Sequence, residues 1–311
     1  DASGYPTQFL PAASAGNGHA RAAQAARFFG QGDYESCLTV SKRVLEEDPY
    51  HLAALPVHIS SLVMLNMTNV VYYVAHQLMT AYPSTAIAWY TAGCYYYMIK
   101  KYEHARRFFH KALRFDGLFA PAWVAYGHSF AQHDESDQAL AAYRTASRLF
   151  PGSQLPWLFI GMEYVRTNSL QLAQQCLDCA RTLMPTDPRV YNELGVVAYQ
   201  KRNYEEAVHL LRQAISLSNH PQEAMHCNLG HALLKCGRPA AALEAFHHAE
   251  RLEPSGSKAL AGVAFALQLQ GKPDEAIDYY HRALTLDRND VFSAEMLNFA
   301  ITEALDRGDV C

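Results

Sequence analysis

Residues 120–153 read APAWVAYGHSFAQHDESDQALAAYRTASRLFPGS, and two structures compete for that text. The segment YGHSFA at 126–131 comes within one residue of Gly-x-Ser-x-Gly, the turn that presents the nucleophile of serine hydrolases. His133, Asp134 and Asp137 follow within eight residues of Ser129. The competing reading rests on recurrence. Gly127 is one of a series, Gly93, Gly127, Gly161, Gly195 and Gly230, with steps of 34, 34, 34 and 35 residues. Ala139 belongs to a second series in the same phase: Ala105, Ala139, Ala173, Ala207, Ala242 and Ala276. Ala146 belongs to a third, seven residues behind: Ala112, Ala146, Ala180, Ala214, Ala249 and Ala283. Three aligned series make the stretch one unit of a repeat.

The spacing has a mechanical meaning. Gly or Ala at fixed places lets the two helices of a hairpin approach closely, while large apolar side chains fill the space beside them. Trp89, Trp123, Trp157 and Tyr191 stand four residues before the glycines. Phe109, Tyr143, Leu177, Leu211, Phe246 and Tyr280 stand four residues after the alanines of the second series. Pro49, Pro83, Pro151, Pro185 and Pro254 fall two residues before their units end, where a helix must stop. Gly32-Asp33, Arg202-Asn203, Gly237-Arg238-Pro239 and Gly271-Lys272-Pro273 supply the short turn between the helices of a unit.

The predicted architecture is all-α, a right-handed superhelical solenoid of antiparallel helix pairs with a 34-residue period. Eight units are drawn in a single solenoid over 18–305: 18–51, 52–85, 86–119, 120–153, 154–187, 188–221, 223–256 and 257–290. The first two are degenerate, with Ala25 and Ile59 in the glycine place. A further amphipathic stretch at 291–305, with Phe292, Met296, Phe299 and Ile301 near one face, is expected to cap the stack. Residues 1–17, rich in Ala, Ser, Gly and Pro without a period, are expected to form a flexible tail or linker, and 306–311 a second tail.

Composition narrows the function. A chain of 311 residues with 50% hydrophobic and 18% charged residues can bury a core. Its net charge of -4 and its scattered basic residues give no stripe for phosphates, which argues against a nucleic-acid partner. The most apolar run, LPWLFIGMEYV at 155–165, carries Glu163 and is shorter than the roughly 18 to 20 residues that cross a bilayer, so no membrane partner is expected. Seven cysteines, an odd number too sparse for a disulfide scaffold, point to reduced thiols and an intracellular protein. The start, DASGYP, has neither an initiator Met nor a signal-like segment and reads as a piece of a longer protein.

Trp at the fourth place, Leu-Gly at the seventh and eighth, Tyr at the eleventh, Ala at the twentieth and twenty-seventh, and Pro at the thirty-second resemble the tetratricopeptide repeat. Residues 120–153 and VYNELGVVAYQKRNYEEAVHLLRQAISL at 190–217 carry that pattern closely. A narrower resemblance covers about 50–305. YHLAALPVHISSLVMLN at 50–66, PAWVAYGHSFA at 121–131, LPWLFIGMEY at 155–164 and NELGVVAYQ at 192–200 run in order without large gaps, and are similar to the tetratricopeptide subunit family of the anaphase-promoting complex often counted as its sixth. The resemblance implies a non-catalytic scaffold in a cell-cycle ubiquitin ligase of nucleus and cytoplasm, whose chemistry lies on other chains. It implies other subunits of that complex as partners, including a small one held as an extended segment in the groove of the C-terminal repeats. It also implies homodimerisation through N-terminal repeats that this chain lacks.

The repeat phase disposes of the chemical readings. A nucleophile elbow needs a strand, a strained turn and a helix, whereas Ser129 falls inside a first helix, where a small side chain packs and bonds a carbonyl one turn back. Cys176 and Cys179, and the cluster of His226, Cys227, His231, Cys236, His247 and His248, lack the four converging ligands of a structural zinc, and no metal or cofactor is expected. HDESDQ at 133–138 and KKYEHARR at 100–107 read as solvated helix faces. No Gly-rich phosphate loop follows a strand.

A partner is expected on the concave side, which the first helices line. Their groove-facing places nominate Tyr90, Cys94, Tyr97 and Met98, then His128 and Gln132, then Leu158, Met162 and Arg166. Asn192, Glu193, Tyr199, Asn228, His231 and Lys235 follow from later units. Aromatic and Met side chains take apolar anchors of a peptide, and Asn, Gln and Arg hold its backbone. The same aromatics, Tyr90, Tyr97 and Tyr199, suit packing between units equally. The alternative is another repeat adaptor or a co-chaperone that clamps a peptide carboxylate with Lys, Asn and Arg, but the places such a clamp uses carry Tyr90, Cys94, His128 and Val124.

Overall fold

A computed structural model describes residues 18–308, so the tail expected at 1–17 lies outside the described residues, as do 309–311. The described residues form seventeen α-helices and no strand. The chain divides into two compact units, Asp1–Asp187 and Pro188–Cys311. The first holds five antiparallel hairpins: α1 (Gly18–Gly30) with α2 (Tyr34–Glu47), α3 (Ala54–Met64) with α4 (Thr68–Ala81), α5 (Ala86–Met98) with α6 (Tyr102–Phe115), α7 (Ala120–Ala131) with α8 (Ser136–Leu149), and α9 (Gln154–Arg166) with α10 (Leu170–Leu183). The second holds three, α11 (Pro188–Gln200) with α12 (Tyr204–Leu217), α13 (Glu223–Lys235) with α14 (Pro239–Leu252), and α15 (Ser257–Leu269) with α16 (Pro273–Leu286), followed by α17 (Val291–Gly308).

The periodic glycines are where the helices of a hairpin meet. A Cβ built on Gly127 would stand 2.3 Å from Cε1 of Tyr143, well inside contact distance. The same clash recurs with Phe109 at Gly93 (2.5 Å), Leu177 at Gly161 (2.7 Å), Leu211 at Gly195 (2.6 Å) and Phe246 at Gly230 (2.6 Å). Each of these large side chains is buried, as is every alanine of the two periodic series. The glycine of the first helix is thus a hole filled by the knob of the second. Phe246 fills a second hole as well, since a Cβ on Gly262 of α15 would lie 2.4 Å from its ring.

The turns between paired helices share one conformation. Position fifteen of all eight hairpins has positive φ, between 55° and 80°, at Gly32, Asn66, Lys100, Asp134, Asn168, Arg202, Gly237 and Gly271. The next residue returns its N–H to a carbonyl five residues back, as in Lys101 to Tyr96 (2.9 Å) and Arg238 to Leu233 (3.0 Å). That bond closes the helix C-terminus. Five of the eight use a residue with a Cβ, so the geometry is imposed by the hairpin and not chosen by glycine alone. Between units, Trp89 donates its indole N–H to the Pro83 carbonyl (2.7 Å) and Trp123 to that of Gly117 (2.9 Å). Trp89 and Trp123 therefore tie a first helix to the loop before it.

The last helix covers the stretch expected at 291–305. It runs on to Gly308, into the stretch read as a tail. Ser293 and Ala300 are fully buried, yet Val291, Ile301 and Leu305 stay exposed on a side that an effective cap would make polar. The helix has the register of another first helix.

Two stability predictions follow from these contacts. Alanine at 127 gains up to about 1 kcal/mol of helix propensity, but it must displace a ring that has no free volume, at about 1–3 kcal/mol. Gly127→Ala should therefore lower the unfolding free energy by about 0–2 kcal/mol net in a urea titration; a raised midpoint would mean that the hairpin opens without cost. At the turns, Gly237→Ala should cost about 1 kcal/mol by thermal melting, because Ala resists the left-handed region, while Asn168→Gly should be near zero. Equal effects at the two sites would contradict the shared turn geometry.

Candidate partner-binding surface

Four nominated residues, Tyr90, Cys94, Leu158 and Asn192, are buried with little surface left to offer a partner, and their placement in the groove is corrected. Tyr90 is 4% exposed; its ring meets Phe119 edge-on at 5.3 Å and its hydroxyl pairs with Ser60 Oγ at 3.0 Å. Cys94 is buried in the same cluster, and burial pushes its thiol up to about 12. Leu158 is 1% exposed. The cause is the closeness of successive first helices, which turns these places into the seam between hairpins: Tyr90 on α5 reaches across to α3.

The others in the first unit are held in small assemblies. His128 Nδ1 lies 2.7 Å from the Tyr143 hydroxyl, and its ring stands edge-on to Phe159 with centroids 4.3 Å apart. Burial lowers the imidazole pKa to about 4, and burial raises that of Tyr143, so at neutral pH a neutral ring and a neutral phenol share this hydrogen bond. His128 thereby pins the Tyr143 knob in the Gly127 hole. Tyr97 is half-buried, lies edge-on to Tyr102 at 5.5 Å and shares a hydrogen bond with Gln132; burial pushes its phenol up to about 12. Arg166 donates to the Ala131 carbonyl (3.0 Å), to Ser136 Oγ (2.9 Å) and to the carboxylates of Asp134 and Glu163, the latter at 2.7 Å. It staples α9 to the turn between α7 and α8, a structural use beside any contact with a partner. Met98 is half-buried, while Met162 at 40% exposed and Gln132 face solvent.

In the second unit, Asn228 Nδ2 donates to Asn192 Oδ1 (3.1 Å), and Asn192 Nδ2 to Glu193 Oε1 (3.0 Å). This chain links α13 to α11, and burial holds the Glu193 carboxyl above its usual range. Tyr199 is half-buried and edge-on to Tyr204 at 5.5 Å, repeating the Tyr97–Tyr102 pair. His231 and Lys235 are exposed; the His231 ring lies 5.1 Å from that of Phe246, and its pKa is lowered by desolvation and then by Lys235 and Lys258.

One cross-link escaped the sequence reading. Arg106 of α6 donates to Glu135 (2.6 Å), approaches His133 Nδ1 (3.1 Å) and covers the Phe130 ring at 4.9 Å. Its place in a charge run gave no hint of a partner 29 residues on. Ser129 is buried in the last turn of α7 with Oγ donating to the Tyr126 carbonyl at 2.7 Å, which is no nucleophile's setting. Among the described residues no three His, Cys, Asp or Glu side chains converge as a metal site, and no helix is long and apolar enough to cross a membrane.

Comparison with known proteins adds a second line. A model of the tetratricopeptide repeat matches residues 257–290, and one of the bacterial transcriptional activator domain matches 115–255. Anaphase-promoting complex subunit 6 of Arabidopsis thaliana is 42% identical over 280 residues, covering 89% of this chain and 52% of that protein. The cell division cycle protein 16 homolog of Homo sapiens is 40% identical over 286 residues, covering 89% of this chain and 46% of that protein. The crystal structure of the APC/C hetero-tetramer Cut9-Hcn1 matches with a TM-score of 0.81 and 33% identity, over 90% of this chain and 55% of that one. The chain spans about half the length of these relatives. By period, fold and sequence it is a tetratricopeptide-repeat protein similar to part of the sixth subunit of the anaphase-promoting complex.

Proposed function

We propose that this chain is the non-catalytic scaffolding part of a subunit of the anaphase-promoting complex, and that its first-helix faces hold an extended segment of a small partner subunit. The observation that carries the reading is the likeness to a Cut9 chain solved with Hcn1, at a TM-score of 0.81 and 33% identity. The surface chemistry supports it. In the first unit, Tyr97, Met98 and Met162 offer partly open aromatic and thioether surface to apolar anchors. In the second, Asn228, His231 and Lys235 offer hydrogen-bonding groups to a peptide backbone. Residence in nucleus and cytoplasm, and dimerisation through repeats outside this chain, go with the same proposal.

The co-chaperone alternative is disfavoured by one feature. Its clamp would need Lys, Asn and Arg where Tyr90 and Cys94 are buried and His128 is bonded to Tyr143. Tagged full-length protein should co-purify with other subunits of the ligase and with a small Hcn1-like subunit; recovery of chaperones alone would overturn the proposal. Calorimetric titration refines it: Tyr97→Ala combined with Met162→Ala should weaken the small subunit by about 2–4 kcal/mol with folding intact. Unchanged affinity removes these two residues from the contact.

A further inference from the structure

The hydrogen-bonded chain that links α13 to α11 ends on a carboxylate. Asn228 donates to Asn192 Oδ1 at 3.1 Å, and Asn192 donates in turn to Glu193 Oε1 at 3.0 Å. Both amides point the same way, so Glu193 is the terminal acceptor. Asn192, the middle member, is buried, while Glu193 is half-buried.

The charge of Glu193 is not balanced within the protein. Among the described residues its carboxyl is bonded to Asn192 and enters no ion pair. Neither Arg189, one turn earlier on α11, nor Lys235, seven residues past Asn228 on α13, acts on it; burial holds its pKa up against the pull of the Asn192 amide. Oε2 has no donor and is not sealed from solvent. The first unit offers the contrast: Glu163, a buried carboxylate on first helix α9, has its own cation in Arg166 at 2.7 Å.

Whatever lies over Glu193 must therefore bring a donor. A carbonyl or an apolar group placed there would strip the remaining water from an unpaired charge, which is costly. A neutral N–H would fill Oε2 but leave the charge in place. A Lys or Arg side chain fills the oxygen and balances the charge, through the stronger, charge-assisted bond.

We propose that Glu193 is a specificity-determining contact of the second unit, receiving a Lys or Arg side chain of the bound segment. The inference rests on the reading that the chain holds a small subunit, and one experiment separates the two. Hcn1 is titrated calorimetrically into the full chain as wild type and as Glu193→Gln, which keeps the size and an acceptor oxygen but removes the charge. Each is checked for native helix content by circular dichroism, and Glu193→Met takes the place of Glu193→Gln if that variant loses helix. The titrations are repeated with Hcn1 in which each Lys and Arg in turn is changed to Gln. Wild type should bind, and the loss of the carboxylate should weaken binding at least about tenfold. One Hcn1 substitution should cause a similar loss by itself and little more when combined with the Glu193 variant, because the two remove the same interaction. Wild-type affinity in the Glu193 variant overturns the contact and leaves the scaffold reading standing. A loss that adds fully to that of every Hcn1 substitution overturns the cation and assigns Oε2 to a backbone N–H. Absence of wild-type binding overturns the scaffold reading and the contact with it.

Discussion

Where Gly127 has no side chain, the ring of Tyr143 lies 2.3 Å from the spot that a Cβ would occupy, and five of the eight hairpins are built around that kind of contact. It sets how near the two helices of a hairpin come, and the interhelical distance sets which residues are buried. The knob and its hole stand sixteen residues apart in chain from Gly93–Phe109 through Gly230–Phe246, so the contact fixes the same register in each of these hairpins. His128, one residue from the hole, holds the Tyr143 hydroxyl and so belongs to the same joint. A segment that spells almost like a nucleophile elbow is a packing device.

Neighbouring hairpins are joined by polar side chains that a surface reading would assign to solvent or to a partner. Arg106 reaches Glu135 and His133, Arg166 reaches the turn after α7, and Trp89 and Trp123 reach loop carbonyls. Exposed ion pairs of this kind contribute little each. The Arg166–Glu163 pair differs, since Glu163 is 7% exposed and a buried carboxylate without its cation would be costly. The first-helix faces that remain have different chemistry in the two units. The first offers Met162 and Tyr97, and the second the Asn192–Asn228 chain with the exposed His231 and Lys235.

Helix pairs, turns and core were legible in the sequence because each depends on a residue type with one strong physical preference. Gly and Ala mark close approach, Pro marks helix ends, and the large residues between them mark the core. The turn at position fifteen was half-legible: Gly237 announces the left-handed region, but Lys100 adopts it only because the hairpin requires it. Groove residues were harder. The repeat register names places, yet Tyr90, Cys94 and Leu158 sit where neighbouring first helices close the seam, and that closure depends on side-chain volumes in two units at once.

The proposal that partner contacts fall on first helices while second helices serve the fold is checked by hydrogen exchange on the full-length protein with and without its small subunit. Slowed exchange is predicted along α5, α7, α9, α11, α13, α15 and α17, with α6, α8, α10, α12, α14 and α16 unchanged. Protection concentrated on the second helices, or none on either set despite saturating partner, would contradict it.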